Sequence, residues 1–197
     1  MEAFPRHTPR STQEIRCPRS LPSSFRWTSS GPLIGPKNDG RGIAGIKDPS
    51  VVYHNGRYHV FASTARSAGY NLVYTSFADW NQAASAPFTS LDQTPIGAGY
   101  RAAPQVFYCA PQRLWYLVYQ IGNASYSTIP DIGNPNGWSA PRHFYSGTPQ
   151  IIQDNIGNGY RVDMWVICDA ANCLCSRPTT TATSTGRRPR WRTSRTG

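Results

Sequence analysis

The sequence predicts an all-β protein of the β-propeller kind. The main observation is a threefold recurrence of a polar lead, an apolar strand, a turn and an aromatic-rich strand. Its copies are Asp48-Pro-Ser-Val-Val-Tyr53 with Tyr58-His-Val-Phe61, Pro104-Gln-Val-Phe-Tyr108 with Leu114-Trp-Tyr-Leu-Val-Tyr119, and Asp163-Met-Trp-Val-Ile167. Evenly spaced repeats of short strands are the mark of propeller blades. Composition agrees, since 17 Gly, 17 Pro and 12% aromatic residues suit short strands and frequent turns. No amphipathic helix stands out. In a propeller the start of each blade's innermost strand lies beside the central channel. Aligned on these starts, Asp48, Gln105 and Asp163 are expected to converge on one pocket.

The elements follow in order. Residues 1–16 read as an unstructured lead, and Leu21-Pro-Ser-Ser-Phe-Arg-Trp27 opens the ordered part. Residues 29–46 form a Gly-rich loop. Strands are expected at 50–54, 58–64 and 71–76, the first pair joined at Asn55-Gly56. Asp79-Trp80 ends that blade with a turn and a capping aromatic, and residues 81–99 are loop. Strands resume at 104–109, 114–120 and 124–127, with short strands at 143–145 and 149–153. After the turn at Asn155-Ile-Gly-Asn-Gly159, residues 161–168 form the next strong strand. A turn at 169–172 follows it, but the expected partner strand does not.

From Ser176 the chain turns Thr-rich, then Arg-rich. It reads either as a basic tail or, the preferred reading, as the product of a frameshift or gene-model error near residue 174. A shifted frame can spell the turn and alternating strand that the third blade lacks. The expected domains are therefore the lead at 1–16, a partial propeller at 17–175 and a non-native basic tail at 176–197.

The formal charge of +10 invites a nucleic-acid function, but its distribution argues against one. Residues 27–175 carry nine Lys or Arg against eight Asp and no Glu, so the excess sits at the two ends. No apolar run approaches a membrane span. Residues 1–16 lack the apolar core of a secretory signal. The five cysteines show no zinc-ligand pattern. Cys168 and Cys173 flank a turn and could be bridged in a secreted chain, or be buried thiols.

Two carboxylates at equivalent places in a repeat can act as a general base and its electrostatic tuner. The bland alternative makes Asp48 and Asp163 turn-forming residues with satisfied side chains. Pro49 biases Asp48 towards extended geometry. Glycoside hydrolysis needs two carboxyl groups, held roughly 6.5–9.5 Å apart in inverting enzymes. The only glutamates are Glu2 and Glu14, both in the lead, so the ordered region offers a base and no obvious acid. Trp27, Tyr53, Trp80, Tyr100 and Trp115 could stack on sugar rings, though Trp115 belongs to the core by its place in an alternating strand.

At these residues the chain resembles glycoside hydrolase family 62, the α-L-arabinofuranosidases that remove arabinose from arabinoxylan. The resemblance runs from Cys17 to Cys173 through Leu21-Pro-Ser-Ser-Phe-Arg-Trp27, Gly45-Ile-Lys-Asp-Pro-Ser-Val-Val52, Phe61-Ala-Ser-Thr-Ala-Arg66, Tyr100-Arg-Ala-Ala-Pro-Gln-Val106 and Val162-Asp-Met-Trp-Val-Ile-Cys-Asp169. It implies a five-bladed propeller, of which about the first three blades fall within this chain, and an inverting mechanism. It makes Asp48 the general base and Asp163 the residue that tunes the acid and orients the sugar. Lys47, Gln105 and Trp27 become substrate contacts. It further implies a structural calcium in the channel, with no ligand assigned here, and no cofactor for the chemistry. The implied partner is arabinoxylan or its oligosaccharides, met by an extracellular monomer; no nucleic acid or membrane partner is expected. The family's acidic Glu lies beyond the point of divergence, so this chain alone is expected to be inactive. The alternative is a non-catalytic carbohydrate-binding remnant of the same fold.

Overall fold

A computed structural model describes residues 24–157, 160–168, 173–176 and 179–180, with backbone alone for 160–161, 173–176 and 179–180. The chain divides into two compact units, Met1–Gly31 and Pro32–Gly197. In the first, residues 24–31 carry no helix or strand, and Phe25 and Trp27 stack on each other at 5.8 Å.

The second unit holds two four-stranded antiparallel meanders. The first runs β1 (Gly45–His54), β2 (Arg57–Arg66), β3 (Gly69–Phe77) and β4 (Thr89–Ser90), paired in that order. The second repeats it with β5 (Ala102–Cys109), β6 (Leu114–Gln120), β7 (Ala124–Ile129) and β8 (Arg142–His143). Asn55 and Gly56 both take positive φ between β1 and β2, the geometry a two-residue hairpin turn demands. Inner strands alternate towards both faces because each is sandwiched, hence the long apolar runs in β2, β3 and β6.

One core cluster lies between the meanders. Phe61, Leu72 and Tyr74 from the first meet Val106, Trp115, Leu117 and Tyr119 from the second, closed by Leu91, Ile96, Ile132 and Trp138 from the connecting loops. Trp115 is a core residue, as its alternation predicts. A second cluster of Val60, Phe77, Ala83 and Ala86 lies on the first meander's other side. Asp79 accepts the Asn81 N–H at 2.7 Å to start a short helical turn. That turn lays Trp80 against Tyr58 and Phe77 at the meander's rim.

A third hairpin begins after residue 160. β9 (Tyr160–Arg161) pairs with β12 (Thr179–Thr180), and β10 (Trp165–Cys168) pairs with β11 (Cys173–Ser176). A partner strand therefore does follow β10, contrary to the sequence expectation; the turn expected at 169–172 lies outside the described residues. The ladder runs through the boundary expected at residue 175. Cys168 is disulfide-bonded, and residue 173 stands opposite it in the ladder.

Residues 149–153 also depart from expectation. Instead of a strand they lead into a helix, α1 (Gln150–Ile156). The Ile pair in this stretch imitates a strand, but polar spacing favours the helix. Gln150 donates to Asp154 four residues on at 2.7 Å, and Asn155 donates to the Ile151 carbonyl at 2.7 Å.

His59 is buried beneath this core, with Nδ1 2.8 Å from the Tyr74 hydroxyl. Burial holds its pKa below 6.5. The unfolded chain therefore binds this proton more readily than the folded one. Stability from His59 is complete above pH 6.5 and is lost as pH falls from there through the depressed folded value. Melting temperature should fall on acidification across that window, and His59→Gln should flatten the fall. An unchanged pH profile in that variant would remove His59 as its source.

Candidate functional site

The three hairpins share an irregularity that the sequence repeat had misplaced. Between Lys47↔Ser63 and Ser50↔Phe61, β1 carries two residues where β2 carries one. Between Ala102↔Gln120 and Gln105↔Val118, β5 does the same against β6. In the third hairpin, three positions separate Arg161 from Trp165 while two separate their partners Ser176 and Thr179. Each first strand thus holds one extra residue, a β-bulge.

The first bulge residue takes positive φ every time: 50° at Asp48, 51° at Ala103 and 53° at Asp163. Three non-glycine residues in the left-handed region, at one place in a repeat, mark a retained and strained geometry. Asp48 is thus not extended. Pro49 excludes the right-handed helical region before it, and the bulge selects the left-handed branch. Pro49 and Pro104 cost no ladder bond there, because a bulged residue is unpaired.

The equivalent positions are therefore Asp48, Ala103 and Asp163. Gln105 is two residues further on and equivalent to Ser50, which corrects the alignment of Asp48 with Gln105. The two aspartates occupy the same register place in the first and third hairpins, and both are solvent-exposed. Lys47, also exposed, precedes the first bulge, with Nζ 5.2 Å from the centre of the Tyr70 ring. Trp27 is 86% exposed and belongs to the other compact unit.

Gln105 is buried, and both arms of its amide are engaged. Its Nε2 donates to the Val166 carbonyl at 2.7 Å, and the Val166 N–H donates to its Oε1 at 2.6 Å. Its equivalent Ser50 accepts the Val106 N–H at 2.9 Å. A second rung lies beside each of these. Ser63 accepts the Ala103 N–H at 2.8 Å, and Gln120 accepts the Asp163 N–H at 2.8 Å. The first two hairpins thus each grip the next through two side chains, one at its bulge and one just beyond it. Gln120 went unnoticed in the sequence, where it only ends the run Leu114-Trp-Tyr-Leu-Val-Tyr-Gln120.

Around this line of bulges, Asp92 ties the loop at Arg41 to the end of β2 at Arg66, at 3.5 and 3.2 Å. Among the described residues, no three His, Cys, Asp or Glu side chains gather as a metal site. Among them, too, no helix is long and apolar enough to cross a membrane.

Residues 26–176 match the family model described as "Glycosyl hydrolase family 62". The chain belongs to that family. Glycosyl hydrolase family 62 membership fits the solved structures. The catalytic domain of the Coprinopsis cinerea α-L-arabinofuranosidase is 73% identical, with a TM-score of 0.78 over 81% of this chain and 50% of that one. A family 62 hydrolase solved in complex with xylotriose is 55% identical, with a TM-score of 0.73 over 85% of this chain and 57% of that one. Alpha-L-arabinofuranosidase C of Cellvibrio japonicus is 45% identical over 84% of this chain and 23% of its own length. The chain thus spans about half of these solved relatives and less than a quarter of this curated one.

Proposed function

We propose that this family 62 chain carries the base-bearing half of an inverting α-L-arabinofuranosidase site, built on a five-bladed propeller and directed at the arabinosyl side groups of arabinoxylan. The observation that carries this reading is the repeated bulge. It lifts one side chain from each innermost strand, and two of the three are carboxylates. Asp48 takes a proton from the attacking water. Asp163 sets the charge around the proton donor and orients the sugar. Lys47 donates to the sugar's hydroxyls. Gln105 acts from beneath, since its amide already bridges to Val166; one N–H and one lone pair remain for a ligand. Trp27 offers an exposed ring for stacking, and a relative solved with xylotriose supports a xylan-type backbone as the surface to be recognised. The protein acts outside the cell as a monomer, where this polymer is found, and calcium, if held, has a structural role.

Departure of the sugar also requires a proton donor, and the glutamates of this chain are Glu2 and Glu14 alone. The 197-residue chain should therefore bind arabinosylated xylo-oligosaccharides without turning them over. Extension to the length of its solved relatives should give turnover. The test is proton NMR of the extended chain acting on arabinoxylan. First-formed arabinose should be the β-anomer, inverted from the α-linkage. First-formed α-anomer would exclude the single-displacement route and Asp48 as its base.

A further inference from the structure

The two inter-hairpin grips differ at both rungs, a serine in the first standing where a glutamine stands in the second, and the rung at the bulge carries the further consequence. From the first hairpin to the second, the bulge N–H is taken by Ser63, whose one short hydroxyl reaches only that backbone. From the second to the third, the same place holds Gln120. Its Oε1 takes the Asp163 N–H at 2.8 Å, which leaves the Nε2 end of the amide free for a second bond. That end donates to the Tyr100 hydroxyl.

Gln120 is 5% exposed, while Tyr100 is 46% exposed. The buried amide thus anchors a half-open aromatic ring by its polar tip. The ring meets Tyr70 edge-to-face at 6.2 Å and 83°, and Tyr70 lies beneath the Lys47 ammonium. Contacts run unbroken from the Asp163 backbone through Gln120, Tyr100 and Tyr70 to Lys47, the residue before Asp48. A serine could hold the bulge but could not make this connection.

We infer that Gln120 is a positioning residue for the carbohydrate site. It fixes the left-handed turn that presents the Asp163 carboxylate, and it fixes the Tyr100 ring as a sugar-facing wall, both from one amide. This rests on the arabinosyl-binding reading of the site given above. Left-handed geometry at a non-glycine residue is held only when its surroundings over-determine it, and the Gln120 acceptor is the side-chain contact made directly to the Asp163 N–H.

The test uses the 197-residue chain with Gln120→Met and Gln120→Glu. Met keeps the volume and removes both polar arms. Glu keeps an acceptor for the Asp163 N–H and accepts the Tyr100 O–H in place of the lost donor. Two readouts are taken: hydrogen exchange at the Asp163 amide, and affinity for arabinosyl-xylotriose by NMR titration. Gln120→Met should exchange Asp163 at least tenfold faster while the β2 and β3 amides hold their rates, and should weaken binding about fivefold or more. Gln120→Glu should bring both back to within about twofold of the parent. Unchanged Asp163 exchange in Gln120→Met overturns the inference, as does an equal acceleration throughout β2 and β3, or no recovery in Gln120→Glu. If the parent binds no arabinosyl-xylotriose, the functional reading of this chain fails. Exchange at Asp163 and its recovery in Gln120→Glu then decide the positioning role alone.

Discussion

Asp48→Asn is expected to lower arabinose release by the extended chain by roughly 10²–10⁴-fold, the usual worth of a general base. It should do so without lowering the melting temperature. Asp48 is exposed and sits at φ 50°. Asparagine tolerates the left-handed region as well as aspartate does, so the variant keeps shape and strain unchanged and loses only the charge and basicity. Asp48→Ala is the useful contrast, since alanine at that φ adds a backbone penalty to the chemical one. Wild-type release by Asp48→Asn would remove Asp48 from the base role. Equal losses of turnover and stability would make it a structural turn residue.

The second large effect concerns the core between the meanders. Trp138 is 1% exposed and meets the Phe61 ring edge-on at 5.6 Å and 85°. It reaches from the loop after β7 into a cluster drawn from both meanders. Trp138→Ala should cost about 3–5 kcal/mol through lost burial and the cavity left behind. For a domain of this size that lowers the melting temperature by roughly 6–20 °C. Its indole N–H is buried with no hydrogen-bond partner among the described residues. Trp138→Phe removes that unmet donor while keeping most of the ring, so it should cost well under half as much. Similar melting temperatures for wild type and Trp138→Ala would mean that the two meanders do not depend on this side chain.

Much of the fold was legible in the sequence because local chemistry encodes it. The apolar runs around Val60, Leu72 and Leu117 and the Asn55-Gly56 turn gave β2, β3, β6 and the first hairpin to within a few residues. Two features were misread where local chemistry was ambiguous. Ile151 and Ile152 resemble a strand until the bond from Gln150 to Asp154 is considered. The second repeat was aligned on Gln105, a polar residue that looked like the counterpart of Asp48, because a bulge leaves no mark in the side-chain pattern. The true counterpart is Ala103, whose proline neighbour matches Pro49. The inter-hairpin grip was invisible for a different reason. Gln120 and Asp163 are 43 residues apart, and no period or motif in either segment refers to the other.

That grip makes side-chain length at two positions a mechanical setting. Ser63 and Gln120 occupy the same station on successive hairpins, yet their accepting oxygens differ by two bonds in reach. Each acts as a shim between one sheet and the next, and a short shim and a long one give different wedges. Spacing between neighbouring sheets is therefore written into the chain one spacer at a time, and a change of length at residue 120 should re-aim the Asp163 carboxylate that it holds by the backbone.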